Sequence, residues 1–211
     1  MSLPDQMTDR WQNRPEPGPG QGTVYWHILM HDHPEVADLA RQARQRLSGF
    51  GGLHFTPQAR LHMTTLIAGS ADEFSPGQLQ QMIHTARQLL TDTPPAAVTV
   101  GRIGYHPEAI VLTARPAEAL IPIHDAARTA TEQVLGSNGQ DGQPSDWSPH
   151  VTICYSTSSQ PAAPIIGALG LELPSRKIQI NALSLVVQRG PERDWNWTTI
   201  GTVRLPAPAR T

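Results

Sequence analysis

Two short segments of this chain repeat the same chemistry inside β-prone runs, and this repeat constrains the fold most strongly. One segment reads LHMTTLI around His62 and the other reads PHVTICY around His150, so each contains His-x-Thr. Alternate side chains of a strand point to the same face of a sheet. His62 should therefore share a face with Thr64, and His150 should share a face with Thr152. We expect a site built from two strands that each contribute one half.

The elements around the two motifs follow the same order. The periodicity predicts strand, helix, His-x-Thr strand, helix and strand in each half of the chain. Val24 and Ile110, which mark the first strand of each half, are 86 residues apart, and the two motif histidines are 88 residues apart. A repeat of this kind predicts a pseudo-two-fold axis that brings the two His-x-Thr strands together across a central cleft.

The length of 211 residues suits one domain of two similar halves. Residues 1–22 are polar and rich in Pro and Gly, which predicts a disordered N-terminal tail. We expect a single bilobal domain over residues 23–205, with lobes of about 23–105 and 109–205. Residues 206–211 are expected to form a second tail.

The composition excludes several classes of function. A net charge of −2 without a long basic run argues against a protein that grips long double-stranded nucleic acid. Cys154 is the single cysteine, so an internal disulfide and a multi-cysteine zinc site are excluded. No apolar run approaches the roughly 18 residues that span a membrane, and the N-terminus has no apolar signal region. We expect a cytoplasmic monomer with no membrane contact.

The two motifs resemble those of the two-histidine (2H) phosphoesterases, which include the 2′–5′ RNA ligase-like proteins and the 2′,3′-cyclic-nucleotide phosphodiesterases. Pro149 before the second histidine is also usual in that family. The resemblance implies an α+β, bilobal, pseudo-two-fold fold, in which two antiparallel sheets surround a central groove and helices pack outside. It also implies metal-independent chemistry on a phosphodiester, with no cofactor.

Two departures from the family pattern concern the substrate. RNA ligase-like members often continue the first motif with Leu and Phe, where this chain has Thr65 and Ile67. The second motif often has Arg five positions after its histidine, where this chain has Tyr155. A missing Arg weakens the case for an RNA-ligase-type substrate more than the case for the fold.

Paired histidines suit the opening of a phosphodiester. An imidazole titrates near pH 6.5, so one neutral and one protonated ring can coexist near neutral pH. We predict that His62 and His150 exchange acid and base roles on a 2′,3′-cyclic phosphate or 2′–5′ phosphodiester of a nucleotide or short RNA end. Thr64 and Thr152 would donate hydroxyls to the phosphate. The sequence leaves open which histidine is the base and whether hydrolysis or ligation is favoured.

Two other hypotheses are consistent with the sequence. A non-catalytic module that binds a nucleotide or RNA end would keep the groove without turnover, and Tyr155 favours this alternative. An unrelated α+β protein could also carry His-x-Thr pairs that are structural. Cys154 is expected on the face of His150 and Thr152, as a small buried hydrophobe rather than a nucleophile.

Further residues are candidates for substrate contact. Aromatic side chains near the second motif and at a turn could stack on a nucleobase, with ordinary packing as the alternative, and one histidine of the first strand could face the groove. The candidates for substrate binding are Tyr155, Trp147, Tyr105 and His27. The candidates for phosphate contact are Arg60, Arg102 and Arg189, while Trp195 and Trp197 are expected in the core.

Other histidines offer weaker alternatives. His54 begins a third His-x-Thr, but Pro57 follows at once, which predicts a loop or a short edge strand. His27, His31 and His33 lie near an aspartate and could suggest a metal site. In a strand, however, the first two would lie roughly 13 Å apart, too far to chelate one ion together. We expect no metal site.

Overall fold

The computed structural model describes residues 3–12, 14, 17–18, 21–136 and 147–207. Within these residues the chain forms strands and four α-helices in a mixed order, joined by short 3₁₀ turns. The strands are β1 (Gln6–Met7), β2 (Gly22–Leu29), β3 (Leu53–Phe55), β4 (His62–Ser70), β5 (Ala96–His106), β6 (Ala109–Arg115), β7 (His150–Ser156), β8 (Gln160–Pro161), β9 (Glu172–Ile180), β10 (Ala182–Arg189) and β11 (Trp197–Arg204). The helices are α1 (Pro34–Arg46), α2 (Pro76–Leu89), α3 (Ile121–Leu135) and α4 (Ala162–Leu169).

Two antiparallel sheets form the body of the protein. One has the strand order β11-β10-β2-β4 and the other has the order β3-β7-β6-β5-β9. Helices α2 and α3 contact each other and the first sheet, while α1 and α4 contact each other and α1 contacts β9 of the second sheet. The predicted α+β fold with antiparallel sheets and outer helices is confirmed.

The two lobes are not the two halves of the sequence, so the expected lobes of 23–105 and 109–205 are wrong. Strand β2 pairs with β4 on one side and with β10, from the end of the chain, on the other. Strand β5 pairs with β6 and β9 of the second sheet instead of joining β2. The two halves can exchange strands because a central strand must pair its backbone groups on both sides. A strand from either half of the sequence can serve as the partner.

The run of residues from 178 to 188, which alternates like one strand, is divided between the two sheets. Strand β9 ends at Ile180 on the edge of the second sheet, and β10 begins at Ala182 in the first. The chain therefore crosses between sheets at Asn181. The two strands resemble one run because Ala182 continues the alternation of β9. The core-facing residues nevertheless shift from even positions (Ile178, Ile180) to odd positions (Leu183, Leu185) at the crossing.

Part of the predicted N-terminal tail is ordered, which corrects the disorder expected over residues 1–22. Strand β1 pairs with β8, and Met7 is completely buried. The Thr8 N–H donates to the Pro107 carbonyl oxygen and the Arg10 N–H to that of Ser156. Composition could not reveal this segment because its partners lie about 100 to 150 residues further along the chain. Residues 208–211 of the second predicted tail lie outside the described residues.

Local sequence explains where the helices begin. Ser75 and Gln78 form a capping box at the start of α2, and Pro76 occupies its first turn. The buried stripe of α2 includes Met82 and Ile83, which face the first sheet and α3. Within the described residues, no helix is long and apolar enough to cross a membrane.

Candidate active site

Both His-x-Thr strands contain a β-bulge at the same position. In β4, His27 of β2 pairs with Thr64 and Trp26 with Leu66, so Thr65 is the extra residue. In β7, Val111 of β6 pairs with Thr152 and Ile110 with Cys154, so Ile153 is the extra residue. The extra residue is the third after the histidine in both strands. The repeat seen in the sequence therefore extends to the backbone, and β4 and β7 contact each other where the two sheets meet.

The bulge in β7 reverses the expected faces of the two residues that follow it, because an extra residue shifts the alternation by one. Tyr155 lies on the groove side with Ala109, Val111 and two tryptophans. Cys154 lies instead in the main core and is completely buried, so the expectation that it shares a face with His150 is wrong. Burial raises the pKa of its thiol to about 12.

The two motif histidines are oriented by identical hydrogen bonds. The Nδ1–H of His62 donates to the Arg60 carbonyl oxygen at 2.8 Å, and the Nδ1–H of His150 donates to the Ser148 carbonyl oxygen at 2.8 Å. A carbonyl oxygen can only accept, so Nδ1 carries the hydrogen in each ring. Nε2 is then the nitrogen that exchanges a proton with a substrate.

His62 is enclosed by aromatic rings and is 9% exposed. Its ring centroid lies 4.9 Å from Trp197, 5.8 Å from Trp195 and 4.3 Å from His27. Burial lowers the pKa of His62 to about 4, and the Arg60 carbonyl and the charge of Glu192 only partly oppose this. His62 is therefore neutral near pH 7.

His150 lies beside an open cavity of about 450 Å³. The cavity is also lined by Thr152 and Tyr155 of β7, which places three predicted site residues around one space. His106 lies opposite, 6.2 Å from His150 between ring centroids. The charge of a protonated His150 also lowers the pKa of His62, so the two motif histidines are electrostatically coupled.

Two of the predicted substrate contacts lie away from the cavity, and a third lies behind His62. Tyr105 points into the core and donates its hydroxyl to the Gly170 carbonyl oxygen. Trp147 stacks on His124 and donates its Nε1–H to the Thr64 carbonyl oxygen at 3.1 Å, so it supports β4 from outside the cavity. His27 is on the groove side but is 3% exposed behind His62. Tyr155 is the one of the four candidates that lines the cavity.

The prediction that Trp195 and Trp197 are core residues is met by a second, smaller hydrophobic cluster and not by the main core. They are buried, but they belong to a separate cluster in the groove. Trp195 stacks on Tyr155 with ring centroids 5.6 Å apart. Their aromatic alternation resembles that of core residues, so the sequence offered no signal for this placement.

The cations near the site agree only in part with those expected. The Arg60 guanidinium lies over the Trp197 ring at 5.1 Å, whereas the side chain of Arg102 is exposed on β5. Arg189 is exposed at the end of β10. Arg10, which the sequence placed in a disordered tail, lines the cavity with His150. Strand alternation could have predicted that His106 faces the groove, because the preceding residue, Tyr105, is buried in the core.

The remaining histidines are dispersed. His54 lies on the edge strand β3, and its Nε2 donates to the Arg193 carbonyl oxygen at 3.1 Å. His31 is exposed beside Asp32, while His33 is buried. Within the described ranges, no group of three or more His, Cys, Asp or Glu side chains is arranged to hold a metal ion.

Several solved structures share this fold. TT0787 of Thermus thermophilus is 18% identical with a TM-score of 0.67, and the alignment covers 88% of this chain and 99% of that chain. E. coli LigT complexed with 3′-AMP is 15% identical with a TM-score of 0.62, covering 90% and 99%. The PDE domain of MHV ns2 is 13% identical with a TM-score of 0.54, covering 80% and 99%. At these identities the likeness shows the fold.

The family of this chain is identified from its sequence. No curated protein sequence is a significant match to this chain. The family model of the 2′-5′ RNA ligase superfamily matches residues 31–192, a span that contains both His-x-Thr motifs. The chain therefore belongs to the 2′-5′ RNA ligase superfamily.

Proposed function

We propose that this protein cleaves a 2′,3′-cyclic phosphate or a 2′–5′ phosphodiester of a nucleotide or short RNA end, using His62 and His150 as base and acid. The matched Nδ1–H bonds of the two rings carry this proposal. They fix both histidines in the tautomer that presents Nε2 for proton transfer. A structural pair of strand histidines would have no need for the same tautomer.

The environment of His62 supports the base role for this ring, which leaves the acid role to His150. His62 is neutral near pH 7 because burial lowers its pKa to about 4, so its Nε2 can accept a proton. In hydrolysis it takes this proton from the water that attacks phosphorus. The bond from phosphorus to the leaving ribose oxygen breaks, and His150 Nε2–H gives that oxygen its proton. Each transfer of this kind contributes about 10²- to 10⁴-fold.

The two threonines complete the proposed phosphate site. Thr152 lines the cavity beside His150 and Thr64 occupies the matching position in β4. Their hydroxyls would donate to the non-bridging oxygens, where negative charge develops as phosphorus becomes pentavalent. The same groups would serve ligation in reverse, because the acid and base exchange roles.

The comparisons support a nucleotide as the substrate. Structures of E. coli LigT are described in complex with 3′-AMP, ATP, NADP+ and phosphate, and the MHV ns2 domain is described as a PDE domain. We propose that the cavity beside His150 binds a nucleotide in this protein. Its volume of about 450 Å³ can hold a nucleoside and its phosphate.

A non-catalytic module that binds a nucleotide or RNA end is the second candidate. Two observations favour it: Tyr155 occupies the position where the second motif often has Arg, and His62 is only 9% exposed. Titration with a 2′,3′-cyclic nucleotide separates the two candidates, since binding without product formation supports the module.

The proposal is tested with a panel of the four 2′,3′-cyclic nucleotides and of 2′–5′ and 3′–5′ dinucleotides, assayed by product chromatography. We expect turnover of at least one cyclic or 2′–5′ substrate by the wild type. His62→Ala and His150→Ala should each lose at least about 10²-fold in kcat. His84→Ala, which removes an exposed histidine of α2, is the matched control and should keep full activity. Full turnover in either motif variant would reject the assignment.

A further inference from the structure

The segment formed by residues 3–12, which precedes β2, reaches the proposed active site. Arg10 lines the cavity beside His150, and the segment is held there by the pairing of β1 with β8 and by the buried side chain of Met7. Backbone bonds from Thr8 and Arg10 fix its path across the turn between β5 and β6 and the end of β7. The position of Arg10 is therefore set by backbone contacts and does not depend on a flexible tail.

Arg10 joins two carboxylates that belong to different sheets. Its Nε and one terminal nitrogen donate to the two oxygens of Glu192 at 3.1 and 2.9 Å. Its other terminal nitrogen donates to Glu108 at 2.9 Å. The guanidinium also lies over the Tyr155 ring, 5.0 Å from its centroid. A planar fork can make these contacts at once, whereas a lysine ammonium cannot.

Glu192 belongs to the loop between β10 and β11, and this loop covers His62. Trp195 in the loop stacks on Tyr155, and both Trp195 and Trp197 contact the His62 ring. Trp195 has a φ of 50°, a left-handed conformation that a non-glycine residue keeps only where surrounding contacts hold it. The pair between Arg10 and Glu192 anchors the same loop three residues before Trp195.

We propose that Arg10 is a positioning residue for the active site: by pairing with Glu192 and Glu108 it holds the Trp195 loop over His62. This inference rests on the proposed function, because it assigns Arg10 to the same reaction. Arg10 acts through the loop and does not exchange protons with the substrate. The segment before β2 is thereby a third wall of the groove.

Loss of Arg10 has two consequences. The loop loses its link to the rest of the groove, so water reaches His62 and the base is less well oriented. Glu192 also loses its pairing with Arg10, and Glu108, which lines the cavity, keeps only Arg14, so more negative charge opposes a phosphodiester anion. The first effect lowers kcat and the second raises KM, so kcat/KM should fall through both.

The titration of His62 reports the position of the loop without any turnover. The charged and titratable groups that act on His62 are His27 behind it in β2, Arg60 before β4, Glu192 in the loop and His150 across the groove. Burial is the largest influence on its pKa. An open loop therefore raises the pKa of His62 from about 4 toward the ordinary value of about 6.5.

The experiment compares Arg10→Ala with Arg14→Ala. Arg14 pairs with Glu108 at 2.7 Å and has no bond to Glu192, so its removal takes away a nearby charge without releasing the loop. The pKa of His62 is measured by NMR of the ring C–H signals, assigned with a His62→Gln spectrum, and kcat and KM are measured on the best substrate of the panel. Modification of His62 by diethylpyrocarbonate, read by peptide mass spectrometry, gives a second measure of exposure.

We expect Arg10→Ala to raise the pKa of His62, to increase its modification rate and to lose about 10- to 100-fold in kcat/KM, with Arg14→Ala close to wild type. Arg10→Lys should recover little, because it restores charge without the fork. An unchanged His62 titration in Arg10→Ala, or an equal effect of Arg14→Ala, overturns the proposal. If Arg10→Ala does not fold, Glu192→Gln tests the same link from the loop side. The titration and the modification need no turnover, so they remain decisive if the proposed reaction fails.

Discussion

At the scale of single residues, the site pairs two histidines that have the same hydrogen bond and different surroundings. His62 lies under two tryptophans, whereas His150 opens to a cavity. In the proposed reaction, the buried ring is the base and the ring beside the cavity is the acid.

Burial of His62 predicts a loss of stability in acid. Its pKa is about 6.5 in the unfolded chain and about 4 in the folded protein, so between these values the unfolded state binds more protons. The free energy of unfolding therefore decreases as the pH falls from 6.5 to 4, by on the order of 3 kcal/mol from this group. His27, whose pKa burial also lowers, acts in the same direction.

Urea unfolding at pH 7 and pH 5 measures this effect. His62→Gln should show a shallower dependence on pH than the wild type, since it removes one group that resists protonation. His84→Gln, which replaces an exposed histidine, should retain the wild-type dependence. Parallel curves for wild type and His62→Gln would show that His62 titrates normally in the folded state.

At the scale of elements, the bulges decide which residues reach the groove. The His-x-Thr face could be predicted because two residues of a strand alternate reliably. The bulge after each motif could not be predicted. Thr65 and Ile153 are good β-formers, and nothing in their chemistry marks them as extra residues. The sequence prediction consequently placed Cys154 on the face of His150, whereas Cys154 lies in the main core and Tyr155 lies on the groove side.

The bulge in β7 makes Cys154 unreactive in the native protein. Its side chain is completely buried, and burial raises the pKa of the thiol to about 12, so thiolate is scarce near pH 8. We expect DTNB to titrate Cys154 in denaturant and to react in native buffer only as fast as the protein opens. Rapid stoichiometric reaction of the native protein would place Cys154 on the groove face instead.

At the scale of the whole molecule, the site depends on contacts between distant parts of the chain. The two motifs were sufficient to predict the fold class, through their resemblance to a known family. The exchange of β5 and β10 between sheets was not predictable from periodicity, which reports burial but not the partner strand. The bond between Arg10 and Glu192 joins residues 182 positions apart, and no local pattern marks either of them.

The central claim is that His62 and His150 act on one phosphodiester as a unit. The most direct measurement is kcat/KM on the best cyclic or 2′–5′ substrate for the wild type, His62→Ala, His150→Ala and the double variant. We predict a loss of at least about 10²-fold in each single variant, and a double variant little slower than the worse single one, because residues that act together are non-additive. Losses that multiply in the double variant, or a single variant with full activity, would contradict a shared reaction.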